Sequence, residues 1–317
     1  MHRVLITGGT GFVGSHLIRH LQSTTPNISV ISLARPSVPE AGVEYYEVDV
    51  RREDDIRSAV RQIRPSEIYH LAGVSAVDVS WADPRVTFEV NVVGTYNLLE
   101  AAMALASAPR ILNISTAQVY ASSDAPLTEG SPLGPVNPYA ASKAISEMLE
   151  VSFRRASTGG VITARSFNHT GPGQLPTFVL PSFAKQFAEI EAGIRRPTLA
   201  VGNINVERDF TDVRDVVRAY SLLLSKGRTG QVYNVCSGIG TSLTDVIKQF
   251  QALCRTVVTI ESDSTRVRTG DIPRVIGDST KIRNETGWNV RITMNEAIRD
   301  LLDYWREKVT VPGSMQA

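Results

Sequence analysis

The chain opens with an apolar run at 3–7 (RVLIT), too short for a helix, and passes through a glycine-rich stretch into a helical pattern over Phe12–Gln22. Short β-branched runs at 29–33, 67–72, 110–115 and Gly160–Ser166 read as further strands. Between them, apolar spacing near 3.6 residues predicts helices, notably over 84–103 and 139–155. Strands alternating with helices mean βαβ units and a parallel sheet covered on both faces. The continuous apolar character of RVLIT fits a strand buried on both sides.

After Asn168 the rhythm breaks, with Gly171, Pro172, Gly173, Pro176 and Pro181 in quick succession before an amphipathic helix at 180–192. The chain there is expected to enter a second region. A helix at 213–224 and a strand at Val232–Val235 resume the first rhythm, whereas 243–268 and the C-terminal helix 294–308 do not. No internal repeat or low-complexity tract is visible.

Charge narrows the function classes. The 33 Lys and Arg nearly cancel the 32 Asp and Glu, and no stretch concentrates cations as a nucleic-acid or membrane-surface footprint would. Neither nucleic acid nor a membrane is therefore an expected partner, and an anionic ligand must be caught by a few placed cations. Cys236 and Cys254 are the only cysteines, in no metal-ligand or disulfide spacing, and no metal is expected. The N-terminus enters a strand without leader-like residues, and no apolar run reaches the roughly 18 residues of a membrane span. A cytoplasmic location is expected.

The segment Thr7-Gly-Gly-Thr-Gly-Phe-Val-Gly14 follows the first strand and opens the first helix. In that context Gly8 permits a tight turn, Gly11 lets the backbone approach a pyrophosphate, and Gly14 lets helix and strand pack closely. The anion then meets the amides of a helix N-terminus. This is a dinucleotide fingerprint, with Thr10, Phe12 and Val13 completing the turn. An acid about 20 residues on normally binds the adenosine ribose. Here the second strand ends in Ala34-Arg35. An arginine accepts a 2′-phosphate that a carboxylate would repel, so NADP(H) is expected over NAD(H).

Farther on, Tyr139-Ala-Ala-Ser-Lys143 puts a phenol and an ammonium on one helical face. A phenol near pKa 10 is a poor acid or base at neutral pH, and a neighbouring ammonium brings it toward working range. Taken together and in this order, the motifs give the chain a resemblance to the extended short-chain dehydrogenases/reductases acting on nucleotide sugars. TGGTGFVG, Asp49-Val50, His70-Leu-Ala-Gly73, Asn91 in NVVGTYNLLEA, Ser115-Thr116 before Tyr120, and YAASK carry it over nearly the full length.

The resemblance implies that Asp49 holds the adenine edge with Val50 beside it, that Leu71, Ala72 and Gly73 line the cofactor, and that Thr116 bonds the reacting oxygen. Asn91 is left as either a cofactor ligand or a structural helix residue, and His70 reads as a packed strand histidine. The runs 164–171 and 201–210, with Arg268 and Asp271, look like segments holding a nucleoside diphosphate sugar. The stretches FNHTGPGQ, FTDVRD and VYNVCSGIG are most similar to GDP-4-keto-6-deoxy-mannose reductases. Arg208 and Arg268 have the charge to neutralise a diphosphate, Asn168 and Asn203 offer amides, and Lys185 is expected near the base pocket.

The expected fold is therefore α/β, a Rossmann-type doubly wound parallel sheet with a smaller, discontinuous α/β substrate domain. The NADP-binding domain is expected at 1–167, with returning segments at 210–236 and 276–293; the substrate domain is expected at 168–209, 237–275 and 294–317. The expected reaction is NADPH-dependent reduction of the carbon-4 ketone of GDP-4-keto-6-deoxy-D-mannose to a GDP-6-deoxyhexose such as GDP-D-rhamnose. The catalytic residues are Thr116, Tyr139 and Lys143, and the protein is expected to be a homo-oligomer, a homodimer. A 4,6-dehydratase or 4-epimerase shares these residues, and a catalytically silent NADP(H)-binding regulator shares the fold. Against a dehydratase stands the segment Thr116-Ala-Gln118, where enzymes of that type carry a glutamate base.

Overall fold

The computed structural model describes residues 2–22, 27–32, 39–153, 159–266 and 272–310. Arg35, Arg268 and Asp271 lie outside the described residues.

The first half runs β1 (Val4–Thr7), α1 (Phe12–Gln22), β2 (Ile28–Ser32), β3 (Val43–Glu47), α2 (Glu53–Ile63) and β4 (Glu67–His70). It continues through α3 (Val77–Ala82), α4 (Pro84–Phe88), a π turn (Glu89–Val93), α5 (Gly94–Met103), β5 (Arg110–Thr116), α6 (Pro138–Phe153) and β6 (Gly160–Ser166). The second half holds β7 (Asn168–Thr170), α7 (Val179–Glu191), β8 (Thr198–Val201), β9 (Glu207–Asp212), α8 (Val213–Lys226) and β10 (Val232–Val235). Then follow β11 (Gly240–Ser242), α9 (Leu243–Leu253), β12 (Thr259–Ser262), β13 (Arg274–Val275), α10 (Thr280–Thr286) and α11 (Met294–Thr310).

Seven strands form one parallel sheet in the order β3-β2-β1-β4-β5-β6-β10, the Rossmann arrangement with β10 added at one edge. Alternation along β1 explains its burial. Val4 and Ile6 face Leu17, Ile18 and Leu21 of α1 and Val217, Tyr220 and Leu223 of α8. Leu5 faces the opposite layer, made by Ile56, Val60 and Ile63 of α2 and Leu98 and Leu99 of α5. Helices on both faces leave the ends of the strands as the open part of the sheet, and the sequence order reverses between β1 and β4 at the carboxyl end, the usual place for a ligand crevice.

A separate apolar cluster joins α7, α9 and α11, with Phe183, Phe187, Phe250, Ile298 and Leu301 at its centre. Short strands surround it: β9 pairs with β7, β11 and β13, and β8 pairs with β12. The two parts are tied at Asp209, whose buried carboxylate accepts from Ser237 N (2.8 Å), Gly238 N (2.9 Å) and Gly277 N (3.2 Å).

The helical run at 84–103 is not one α-helix. Its middle turn is widened, with Gly94 N bonded back to Glu89 O, and Asn91 sits in that turn with its amide bonded outside the helix. A close backbone approach lies where the cofactor turn enters α1. A Cβ on Gly14 would stand 2.6 Å from both Gly8 O and Gly9 Cα. Gly14→Ala therefore has to part α1 from the turn, a strain of about 1–3 kcal/mol. Thermal denaturation is expected to shift down by several degrees, with weaker NADPH binding by titration; an unchanged melting temperature and affinity would contradict this packing.

Candidate active site

The carboxyl ends of β1, β4 and β5 supply three neighbouring walls. Gly8 turns the chain out of β1 at φ +69°, and a Cβ there would lie 2.8 Å from Ala72 N, so the loops after β1 and β4 are in contact. A cleft of about 1740 Å³ starts at this contact and extends to the second apolar cluster. Gly8, Thr10, Gly11, Phe12, Val13 and Gly14 line one end, with Asp49 and Val50 beside them. Leu71, Ala72 and Gly73 form the floor, Thr116, Tyr139 and Lys143 the middle, and Asn168, Asn203 and Arg208 the far wall.

Three expected residues need comment. Lys185 does not line the cleft; only the first turn of α7 does, and Lys185 points away to Glu189 (3.7 Å) and over the Trp305 ring of α11 (5.7 Å). The Asn91 amide is spent within the protein: Oδ1 accepts from Val74 N (2.8 Å), while Nδ2 donates to Val74 O (3.0 Å) and Ser142 Oγ (2.9 Å). It is a positioning residue that binds the loop after β4 to α6. The Asp49 carboxylate faces the cleft but is paired with the Arg51 guanidinium at 2.6 Å, which holds its pKa below the ordinary value.

His70 is buried between two hydroxyls, and the polarity of the chain around it can be read. Thr95 Oγ1 donates to Asn91 O (2.6 Å), so its oxygen must accept from His70 Nε2 (2.9 Å). His70 Nδ1 is then the acceptor, filled by the Thr7 hydroxyl at 2.7 Å, and Thr7 Oγ1 in turn accepts from Ala72 N at 3.2 Å. Burial pulls the imidazole pKa down to about 3, so the ring stays neutral and acts as a fixed spacer.

Tyr139 and Lys143 project from the first turns of α6, whose N-terminus is capped by Asn137 Oδ1 accepting from Ala140 N at 2.8 Å. Ser142 Oγ donates to Tyr139 O (2.7 Å) and so links the tyrosine to Asn91. Lys143 Nζ is buried and donates to Ile114 O at 2.8 Å. Burial lowers the ammonium pKa to about 8, while the Glu147 carboxylate one turn on acts to raise it. Burial also pushes the Tyr139 phenol above its ordinary value, with the Thr116 hydroxyl opposing. The ammonium was expected to draw the phenol down; in the structure desolvation raises it against the Thr116 hydroxyl, with no lowering from Lys143, and the phenol rests protonated. A protonated phenol in this place is a proton donor.

Some residues of the wall lie in the stretch 167–174 but were given no role of their own in the sequence. His169 Nδ1 donates to Phe167 O (3.0 Å) and its ring stacks on Phe12 with centroids 6.2 Å apart. Burial keeps it neutral, leaving Nε2 as an acceptor. Thr170 Oγ1 and Gln174 Oε1, both buried in the cleft wall, have no hydrogen-bond partner among the described residues. The glycine cradle and these unmet polar atoms fit a dinucleotide. Among the described residues no cluster of His, Cys, Asp or Glu is placed to hold a metal, and no helix is long and apolar enough to cross a membrane.

A Rossmann sheet with a glycine turn and a Thr116, Tyr139 and Lys143 centre defines an oxidoreductase of the extended short-chain dehydrogenase/reductase class. Residues 5–301 match the family model described as GDP-mannose 4,6 dehydratase, and the chain belongs to that family. It is 35% identical over 310 residues to a GDP-6-deoxy-D-mannose reductase of Pseudomonas aeruginosa, covering 97% of this chain and 98% of that one. The structure of RMD from Pseudomonas aeruginosa complexed with NADPH superposes with a TM-score of 0.86 at 34% identity, over 97% and 99% of the two chains. A Thermus thermophilus UDP-glucose 4-epimerase in complex with NAD gives a TM-score of 0.84 at 29% identity, over 96% and 99%.

The Lys143 pKa sets a pH limit. Its positive charge is present below about pH 8 and is lost as pH rises through that value. Reductive kcat/KM is expected to hold through neutral pH and fall above about 8. In Lys143→Met the rate should be low at every pH with that descending limb absent; a wild-type limb retained in the variant would assign the titration to another group.

Proposed function

We propose that the chain reduces the carbon-4 ketone of GDP-4-keto-6-deoxy-D-mannose with NADPH, giving a GDP-6-deoxyhexose, GDP-D-rhamnose. The observation that carries the reading is the wall beside Thr116. Ala117 and Gln118 line the cleft next to a buried tyrosine acid, and neither can take the carbon-5 proton that a 4,6-elimination must remove. The carboxylates on the described part of the cleft wall are Asp49, paired with Arg51, and Asp78 on α3; neither follows β5. Ketone reduction requires an acid and a means of stabilising an alkoxide, and both are present.

The residues that would hold the cofactor are the Gly8 to Gly14 turn, Asp49 and Val50, and Leu71 to Gly73. A bound NADPH supplies the hydride. Thr116 orients the carbonyl oxygen. Tyr139 delivers its phenolic proton to that oxygen, and Lys143 stabilises the phenolate left behind. Arg208, on β9 next to the tethered Asp209, lines the cleft wall, and in this reading it neutralises the diphosphate. Preference for NADPH over NADH rests on Ala34 and Arg35 in the sequence.

A second copy of the chain is the partner this reading expects. Tyr96 on α5 and Met148 and Val151 on α6 are exposed apolar side chains that a dimer would cover. Light scattering should report a dimer, and Met148→Glu should shift it toward the monomer; a wild-type monomer at micromolar concentration would contradict the pairing.

The activity test supplies GDP-4-keto-6-deoxy-D-mannose with NADPH and identifies the sugar by NMR. Consumption of one NADPH per sugar reduced is expected, with no conversion of GDP-mannose. Tyr139→Phe should lower turnover about 10²–10⁴-fold while NADPH still binds. Arg35→Ala should remove most of an NADPH preference on the order of tenfold to a hundredfold. Production of the 4-keto-6-deoxy sugar from GDP-mannose by the protein alone would overturn the assignment.

A further inference from the structure

The Gln118 side chain has a fixed direction. Asn137 Oδ1 accepts from Ala140 N (2.8 Å), so the Asn137 amide can only present Nδ2 on its other side. Nδ2 donates to Gln118 Oε1 at 2.9 Å. Reversing the Asn137 amide would set two donors against each other at the N-terminus of α6, and reversing the Gln118 amide would set two donors against each other at Asn137. The carbonyl of Gln118 is therefore used, and its NH₂ group is turned away from Asn137. Gln118 lines the cleft, and among the described residues its Nε2 donates to none. The turn Ala117–Val119 that carries it is anchored to the catalytic threonine, Gln118 N donating to Thr116 Oγ1 at 3.3 Å. One amide thus bridges the turn after β5 and the cap of the helix that bears Tyr139 and Lys143, and leaves only donors for the cleft.

We infer that Gln118 is a specificity residue whose Nε2 donates a hydrogen bond to a sugar oxygen at or beside the reacting carbon, and that Asn137 acts through it by holding the amide in this orientation. The inference rests on the nucleotide-sugar reading above. An amide offering donors but no acceptor at this point favours a sugar face that presents acceptor oxygens to it, as a ketone does with its lone pairs alone. Asn137 makes that preference strict, since without its Nδ2 the glutamine amide could turn and offer its carbonyl. No proton leaves or reaches Gln118; its part is to hold the ring so that the carbonyl oxygen meets the Tyr139 hydroxyl.

The test uses the full-length protein and three variants, Gln118→Ala, Gln118→Glu and Asn137→Asp. Aspartate caps a helix as well as asparagine does. It would accept from Ala140 N with one oxygen and from Gln118 Nε2 with the other, drawing the donor out of the cleft while Gln118 itself is unchanged. Titration calorimetry with NADPH and with GDP should give dissociation constants within about twofold of wild type in all three. For GDP-4-keto-6-deoxy-D-mannose, kcat/KM should fall about tenfold or more in Gln118→Ala and in Asn137→Asp, and further in Gln118→Glu, where an acceptor stands in place of the donor.

Wild-type kcat/KM in Gln118→Ala and Asn137→Asp overturns the inference, and so does a parallel loss of GDP and NADPH binding, which would mark a structural role. If the wild-type protein reduces no 4-keto sugar, the proposed function fails on that measurement alone. The inference about Gln118 is then decided by binding: wild type should bind GDP-mannose more tightly than GDP, and both Gln118→Ala and Asn137→Asp should lose that difference. No such difference in wild type, or its survival in the variants, counts against Gln118.

Discussion

The geometry of the catalytic centre depends on the side-chain amide of Asn91. That one group binds both backbone polar atoms of Val74 and the hydroxyl of Ser142, which in turn donates to the carbonyl of Tyr139. Three elements that are distant in sequence are thereby held in one register: the loop after β4, the widened turn ahead of α5, and α6. The backbone carbonyl of Asn91 extends the connection in the other direction, through Thr95, His70 and Thr7 to Ala72 N. Every link has one allowed polarity, so the loop that floors the cleft after β4 and the helix carrying Tyr139 are set by the same hydrogen bonds. The π turn follows from this requirement, because it places Asn91 where its amide is spent outside its own helix.

Burying Lys143 is expensive beside the interior strand β5, and the surroundings answer it with groups already satisfied. Its Nζ meets a strand carbonyl, and Glu147 one turn on is itself held by Arg165 at 2.6 Å, both side chains less than a tenth exposed. A pair buried this deeply is tolerated because its hydrogen bonds are complete, with the Ser115 hydroxyl on Glu147 and the carbonyl of Glu129 on Arg165. The lysine therefore keeps its charge at neutral pH but has little margin above it. Tyr139, in the same dry region, stays protonated. These two settings suit a site that gives a proton to a ketone oxygen.

Much of this was legible in the sequence because it is written in local patterns. Continuous apolar strands such as β1 and the strand-turn-helix context of the glycines gave the sheet and the cofactor turn, and Tyr139 and Lys143 fell on one face because helical spacing requires it. Non-local information was harder to read. The strands β7, β9 and β11 to β13 lack a continuous apolar run and form by pairing with one another or with β8, so no period announces them. Lys185 was misplaced because a residue's side of a helix is fixed by what packs there, here Trp305 of α11, and not by its nearness in sequence to cleft residues. The direction of the Gln118 amide depends on Asn137, 19 residues away, and on the cap that Asn137 makes, so only the folded arrangement reveals it.

The central claim is that this site adds a hydride to carbon 4 and removes no proton from the sugar. The most direct measurement uses NADPH deuterated at its transferring carbon and the 4-keto-6-deoxy sugar nucleotide, with the product sugar examined by NMR. In ordinary water, one deuterium is expected at carbon 4, matched to the NADPH consumed. In a parallel reaction in deuterated water with unlabelled NADPH, carbon 5 is expected to keep its hydrogen. Solvent deuterium at carbon 5, or sugar turnover without label from the nicotinamide, would contradict the account.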